Sequence, residues 1–463
     1  MKKVVLSLFL AASLFADSAD ELLEGFDDAP SAEKSQEASG DDLLDGFDDT
    51  SSASTDSSSD GLLEGFDDVP VKDKTISSKN ILQNLGIEGK FTQAISLSYN
   101  NEEPFDGLSS MKSSLFLEYN TDLYKSFKLK VNGKAFYDAV YMLRKEEKFS
   151  DDVLDALESE VEIYDAYIQG SINDRLDVKV GRQVVVWGRS DSIRITDILN
   201  PLDNRRPAMV DIEDLRLPEA MVKFDYYKDA WRITPIAILE QRFNKNPPFG
   251  GEFYPSPKKV PTQDEPDDIT YALNVGGEFS GFDVDFYLAN IYAQDELGLP
   301  LLKRDNKINM AGVALNYIKG SWLLKAELAY KSDFMFLQTA NQKFDRIDTL
   351  LGLEYNGIAD TKFSYDIANK HVTDESPAFE QDSYQHAFRA TSDFLNATLH
   401  ANYLVMLFGD KMDEGGFQRA WLKYDLADGV NANIGLVDYM GGSKMFDAIK
   451  DNDMFFMDVS YSF

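Results

Sequence analysis

Between Gly89 and Phe463, apolar and polar residues alternate with a period of two. In "FDVDFYLA", Phe282, Val284, Phe286 and Leu288 fall on one face, and Asp283, Asp285 and Tyr287 fall on the other. "WLLKAELAYK" sets Trp322, Leu324, Ala326, Leu328 and Tyr330 against Lys325, Glu327 and Lys331. "FKLKVNGKAFYDA" opposes Phe127, Leu129 and Val131 to Lys128, Lys130 and Asn132. "ATLHANYLVML" opposes Ala397, Leu399, Ala401, Tyr403 and Val405 to Thr398, His400 and Asn402. Segments of about ten residues with this dyad period predict strands with one apolar and one wet face.

Such faces suit either a soluble sandwich or a barrel with lipid outside and water inside, and the connections separate the two. Short links at Ser171, Tyr226, Phe279, Ile318, Asn356, Phe394 and Ala427 alternate with long ones. The long ones are Arg144–Glu160, Arg189–Leu217, Gln241–Asp267, Asp295–Asn306, Asp333–Asp345 and Thr373–Asp382. A transmembrane barrel keeps that phase, because its periplasmic turns are short and its outer loops long. Trp231, Trp322, Tyr227, Phe279, Phe282, Tyr317 and Phe363 cluster beside the short turns, where an aromatic belt at the headgroup level is expected. The last strand carries Phe455, Met457, Val459, Tyr461 and Phe463 on one face, which resembles the barrel-assembly signal of bacterial outer-membrane proteins. The expectation is an all-β transmembrane antiparallel barrel of about 16–18 strands over residues 88–463. An even strand number puts both of its ends on the periplasmic side.

Composition narrows the function. A formal charge of −34 excludes a phosphate-binding surface, so no nucleic acid partner is expected. The absence of cysteine excludes disulfides, thiolate metal sites and a cysteine nucleophile. Residues 1–16 read as a signal peptide, with Lys2 and Lys3 ahead of the apolar run Val4–Phe15. Residues 17–74 are acidic and Ser-rich and bury too little apolar area to fold alone, so a disordered periplasmic tail is expected there. Residues 75–87 are a linker or a short helix.

The tail repeats one phrase three times. Leu22, Leu23 and Phe26, then Leu43, Leu44 and Phe47, then Leu62, Leu63 and Phe66 each precede Asp-Asp. A short apolar anchor in an acidic disordered strand suits docking into a groove. Neighbouring copies, about 20 residues apart, span about 20–25 Å, so they can engage several pockets of one oligomeric partner.

Residues 178–227 depart from simple alternation. They contain Gly181, Arg182, Gln183, Trp187 and Gly188, then Asn200, Pro201 and Asp203, then Arg206 and Pro207. These elements resemble "GRQ-V-WG", "NP-D" and "R-P" of a proteobacterial outer-membrane barrel family of unknown function. Members are often encoded beside resistance-nodulation-division-type exporters and periplasmic carrier proteins. The resemblance implies transport of a hydrophobic or lipid-like substrate with a periplasmic or inner-membrane partner. The residues themselves suggest a loop able to fold into the lumen and constrict it, through Arg182, Trp187, Arg189, Asp191, Arg194, Asp203, Arg205, Arg206, Asp214 and Arg216. "SIRITDILNPLD" is expected to form a short helix stopped by Pro201. Keeping Val178 and Val180 towards lipid would also turn Arg182 outward, so a bulge near Gly181 is expected to re-aim it.

No cofactor, metal site or catalytic constellation is expected. His371, His386 and His400 fall on separate strands, and no nucleophile, phosphate-loop or zinc motif occurs. The outer-membrane location adds membrane lipid and the barrel-assembly machinery as partners. A passive porin-like pore and a structural or adhesive barrel with a filled lumen are the alternatives to a transporter. The repeats make one prediction: replacing Phe26, Phe47 and Phe66 together by Ala abolishes capture of a periplasmic partner in pull-down and leaves barrel insertion intact. Loss of insertion would give the repeats an assembly role instead.

Overall fold

The computed structural model describes residues 86–463, apart from 211, 261–264, 297–300, 304–305 and 340. The expected signal peptide, acidic tail, three repeats and nearly all of the linker lie outside the described residues. Eighteen antiparallel strands form one closed sheet. They are β1 Ile87–Ser98, β2 Gly107–Asp122, β3 Lys128–Asp138, β4 Ser159–Asn173, β5 Leu176–Gln183 and β6 Glu219–Lys228. Next come β7 Trp231–Ile238, β8 Thr270–Phe279, β9 Phe282–Tyr292, β10 Lys307–Lys319, β11 Trp322–Phe334 and β12 Phe344–Ile358. The circuit ends with β13 Thr361–Val372, β14 Asp382–Phe394, β15 Leu399–Phe408, β16 Gly416–Ala427, β17 Val430–Met440 and β18 Met454–Ser462. Each strand pairs with its sequence neighbours, and β18 returns to β1.

The strand connections alternate in length as expected. Links such as 174–175, 229–230, 280–281, 320–321 and 428–429 close one end, and residues 139–158, 184–218 and 239–269 emerge from the other. Alternation also sorts the two faces. Phe282, Phe286, Leu288, Leu324, Leu328, Leu351 and Leu353 are exposed on the outside, while Asp285, Lys325, Glu327, Lys331, Arg346 and Asp366 are buried inside. A charge on the outer face of a membrane barrel costs about 2–4 kcal/mol at mid-bilayer, which is why the charges keep to the inner phase. Trp231, Phe279, Phe282, Tyr317, Trp322 and Phe363 form an exposed aromatic belt by the short turns. Trp231 meets Phe279 edge-on at 5.5 Å, and Phe279 stacks on Phe282 at 4.9 Å.

Loops fill the opposite end. Helices α1 Val140–Leu143 and α2 Asp151–Leu157 bury Val140, Tyr141 and Val153, and Ser150 caps α2 through Val153 N at 3.3 Å. Helices α3 Ile212–Leu215 and α4 Lys444–Asp447 are single turns. The largest buried apolar cluster combines Trp187, Ile193, Ile195 and Leu199 from residues 184–218 with inward side chains of β6, β7, β9 and β10.

The barrel closes through a tight seam. Gly89 N donates to Phe463 O at 2.9 Å, and Phe463 N returns a bond to Gly89 O at 2.8 Å. A Cβ on Gly89 would lie 2.3 Å from the Phe463 ring, so that ring occupies the space a side chain needs. Phe455, Met457, Val459 and Tyr461 point outward opposite Leu97, Ile95, Gln93 and Phe91 of β1. Gly89→Val should displace Phe463 and lower the fraction of chain that runs as the compact, heat-sensitive species on gels. Wild-type folding of this variant would show that closure does not need the ring in that place.

Candidate functional site

By alternation, "VVVWG" should carry β5 onward, but the chain leaves the wall after Gln183. Asn200 draws it inward: its Oδ1 accepts from Val185 N at 2.8 Å, and its Nδ2 donates to Leu217 O at 2.9 Å and Gln183 O at 3.3 Å. One buried amide therefore ties together the start, middle and end of the loop. Pro201 O accepts from Leu217 N at 2.8 Å, and Asp203 N donates to Leu215 O at 2.7 Å, closing the base. Trp187 stacks on Tyr287 of β9 at 4.6 Å. Gly188 follows with φ +83°, and a Cβ there would sit 3.0 Å from both Glu327 carboxylate oxygens, so the motif glycine meets both a backbone and a space requirement.

The wall holds the tip of the loop through carboxylates. Glu327 of β11 accepts from Arg189 N at 2.6 Å, Ser190 N at 3.2 Å, Thr196 N at 3.1 Å and Thr196 Oγ1 at 2.6 Å. The Arg189 guanidinium pairs with Asp283 and Asp285 of β9. Ser190 Oγ donates to Asp366 of β13 at 2.6 Å, and Asp191 meets Lys325 at 3.2 Å. The helix expected over "SIRITDILNPLD" does not form: residues 191–200 are bends and coil. Thr196 N, a donor that such a helix would use internally, is given to Glu327 instead.

The other half of the loop reaches the opposite side. Arg216 places Nε and a terminal nitrogen 3.0 and 2.9 Å from Asp197 Oδ2, and Arg194 donates to the carbonyls of Asp197 and Asn200 at 2.7 and 2.8 Å. Arg205 binds Asp203, Glu160 of β4 and the Ala156 carbonyl. Arg206 donates to Ser109 O of β2 at 3.1 Å and faces Glu252 at 3.5 Å. Tyr439 Oη of β17 donates to Pro207 O at 2.5 Å. Residues 184–218 thus cross the lumen from β9–β13 to β2, β4 and β17, and nearly every motif residue is a fastening.

Buried charges are tolerated here because each is paired and hydrogen-bonded, whereas an unpaired one costs several kcal/mol. Burial pushes the Asp203 carboxyl up, but its bonds and proximity to Arg205 outweigh this and hold it below the usual carboxylate range. A second network lies beside the loop. Lys331 meets Asp348 at 2.7 Å, Arg346 bridges Asp348 at 2.6 Å and Glu296 at 2.7 Å, and Lys370 also binds Glu296. Between loop and wall is a solvent-connected cavity of about 170 Å³. Ile193, Ile198, Val210, Ile308, Phe334, Leu404, Met406 and Phe408 line it, together with Arg194, Lys331 and Lys370 and the carboxylates of Asp191, Asp197 and Glu296.

Of the ten expected constriction residues, Trp187, Arg189, Asp191, Arg194, Asp203, Arg205, Arg206 and Arg216 lie in the crossing segment. Asp214 is exposed. Arg182 belongs to the wall, and the expected bulge at Gly181 is absent: the register runs without a shift through Val180, Gly181 and Arg182 on both sides of β5. The extra residue sits in β4 instead, where Gly133 pairs with Ile163 but Val131 with Ala166, a register shift that spans Tyr164 and Asp165. Arg182 stays in phase with Val180 near the end of its strand, and Glu240 neutralises it. Sequence reasoning missed the fastening roles of Asn200, Glu327, Asp366 and Tyr287; the wall carboxylates were legible only as inward-facing positions. His371 and His400 pair with Asp382 and Asp393, and His386 with Tyr365. Among the described residues no group of three or more His, Asp or Glu side chains is arranged to hold a metal.

The family described as "Protein of unknown function (DUF1302)" matches residues 76–463. No curated protein matches the chain. Among solved structures, the chain is similar to Pseudomonas aeruginosa OpdK with vanillate, at 11% identity over 81% of this chain and 98% of that one, TM-score 0.51. It is also similar to P. aeruginosa OccK8 (OprE), at 8% identity over 82% and 98%, TM-score 0.51. Acinetobacter baumannii OccAB3 matches at 12% identity over 81% and 98%, TM-score 0.50. Identities this low speak to the fold alone.

Two predictions follow from the fastenings. Glu327→Ala leaves buried donors without an acceptor, at about 1–3 kcal/mol each. Amide exchange at 188–196 should therefore quicken by about tenfold or more, since about 1.4 kcal/mol is a factor of ten. Exchange in the strands should stay unchanged, and Glu327→Gln should fall between. Unaltered exchange at 188–196 would mean that Glu327 does not hold the tip. Because the folded Asp203 carboxyl titrates below its unfolded value, its contribution is present at neutral pH and lost as pH falls through the lowered value. Protection of residues 200–206 should thus persist through pH 5 and decline only below about 4.

Proposed function

The chain belongs to the DUF1302 family, and from that membership and its barrel we propose that it is an outer-membrane channel, narrowed by residues 184–218, for an amphipathic or lipid-like substrate. The observation that carries this reading is the cavity beside the crossing loop, with a mainly apolar lining interrupted by charged side chains. A pore for small hydrophilic solutes has no use for an apolar lining, whereas a molecule with an apolar body and a charged end suits both parts. The exposed apolar outer face, the aromatic belt and the phase of short and long connections support the membrane location. They also favour a periplasmic N-terminus, from which the three repeats would dock a periplasmic or inner-membrane transport component. OpdK, a fold neighbour, was solved with vanillate, itself a small aromatic carboxylate.

A specific observation favours a second reading, a passive anion-preferring pore. Lys134 and Lys179 face inward over the rings of Tyr164 and Tyr167 at 4.0 and 3.8 Å, and neither ammonium has a salt-bridge partner among the described residues. Single-channel recording of the full chain in planar bilayers tests both. Removing residues 189–199 should raise open conductance severalfold, and loading with an alkyl carboxylate should block the wild type. An unchanged record after the deletion would remove the loop from the pore. Anion selectivity without block would favour the passive pore, and no conductance in either form would favour a filled structural barrel.

A further inference from the structure

The longest unpaired strand edge among the described residues is on β4. Strand β4 pairs with β3 up to Ser159, but its pairing with β5 stops at Ala166–Arg182, so residues 159–165 have no strand partner on that side. The residues that would have covered them turn into the lumen after Gln183. Eight residues of β5, at about 3.3 Å each and tilted about 40°, reach about 20 Å, below the top of an apolar band about 25 Å tall. The fifteen residues of β4 rise to about 38 Å by the same measure, with Ile163 at about 28 Å and Val161 at about 33 Å, so the gap opens at the outer rim of the apolar band.

Its mouth and its floor differ in chemistry. Val161, at 87% exposure, is the most exposed large apolar side chain among the described residues, and Ile163, two residues along the same strand, is exposed at 59%. On the lumen side, Glu160 and Glu162 of the same strand hold Arg205, Arg242 and Lys245. Arg182 spans the gap, donating to Ile163 O at 2.9 Å and binding Glu240, which also accepts from Ala220 N at 2.9 Å. Arg182 therefore stands in for the missing strand at one carbonyl and pins the end of β7 to the end of β5.

We propose that this gap is a lateral portal through which an amphiphile with an acyl chain and an anionic head passes between the membrane and the lumen. The proposal rests on the channel reading above and names its entry or exit. An acyl chain lies against Val161 and Ile163, while the head exchanges with Glu240, Glu162 and Glu160 for Arg182, Arg242 and Lys245. A cationic head would have to compete with those three cations for the same carboxylates.

The test uses the full chain in liposomes containing a trace of a long-chain fatty acid with a photoreactive group on its chain. After irradiation, label on residues 159–163 and 182–186 should exceed label on Leu351 and Leu353 of β12 severalfold. The same chain with an amine head should label the two regions alike. Val161→Trp with Ile163→Trp, confirmed as folded by the heat-dependent gel shift, should suppress label at 182–186 and keep wild-type ion conductance. Even labelling around the barrel, equal labelling by acid and amine, or a double variant that labels as the wild type does would each overturn the portal. Conductance of the wild type tests the channel separately, so a labelled portal on a non-conducting barrel would sink the channel reading alone.

Discussion

A closed sheet works only if every strand has a hydrogen-bonded neighbour on both edges, and this barrel departs from that requirement where the chain leaves β5. Each other strand follows its predecessor up or down the wall and is paired along both sides for most of its length. After Gln183, three valines that suit a strand are drawn inward by Asn200. This single departure supplies the loop that crosses the lumen, shortens the wall beside β4, and leaves Arg182 to satisfy a carbonyl that a strand would have bonded. The crossing loop and the open edge are two consequences of one change of direction.

The crossing loop stays in place because the wall is charged where it touches. Inward positions of β9, β11 and β13 carry Asp283, Asp285, Glu327 and Asp366, and the loop answers with Arg189, Ser190 and backbone N–H groups. A buried carboxylate accepting several bonds has little reason to release them, since water is scarce and an orphaned charge is costly. The same arithmetic explains why the helix suggested by the local pattern is missing. A short helix in isolation is marginal, while Thr196 can give both its N–H and its hydroxyl to one anchored carboxylate as soon as the barrel closes.

Much of this was legible in the chain. Alternation in "FDVDFYLA" and "WLLKAELAYK" assigned Phe282, Phe286, Trp322 and Leu328 to the outside and Asp285, Lys325 and Glu327 to the inside, because side-chain direction in a strand has a fixed period. The phase of the connections marked the two ends, and Arg189, Arg205, Arg206 and Arg216 stood out by their density in a loop too long for a turn. The partners of those arginines were not legible. Nothing local pairs Arg189 with Asp283, ninety-odd residues away, or Asp366 with Ser190. The bulge was misplaced for the same reason: the outward phase of Arg182 suggested one at Gly181, but register depends on the partner strand, and the extra residue is in β4.

What the sequence determined by itself is the alternation, the turn phase and hence a barrel with an apolar outside and a charged inside, since these follow from the backbone's period and from which residues tolerate hydrocarbon. What the tertiary structure decided is where the chain abandons its own alternation. Val184, Val185 and Val186 are strand residues by every local measure, yet Asn200, Trp187 on Tyr287 and the Glu327 carboxylate together outweigh one more stretch of pairing with β4. That balance is set by groups from distant strands that meet only after the sheet has closed.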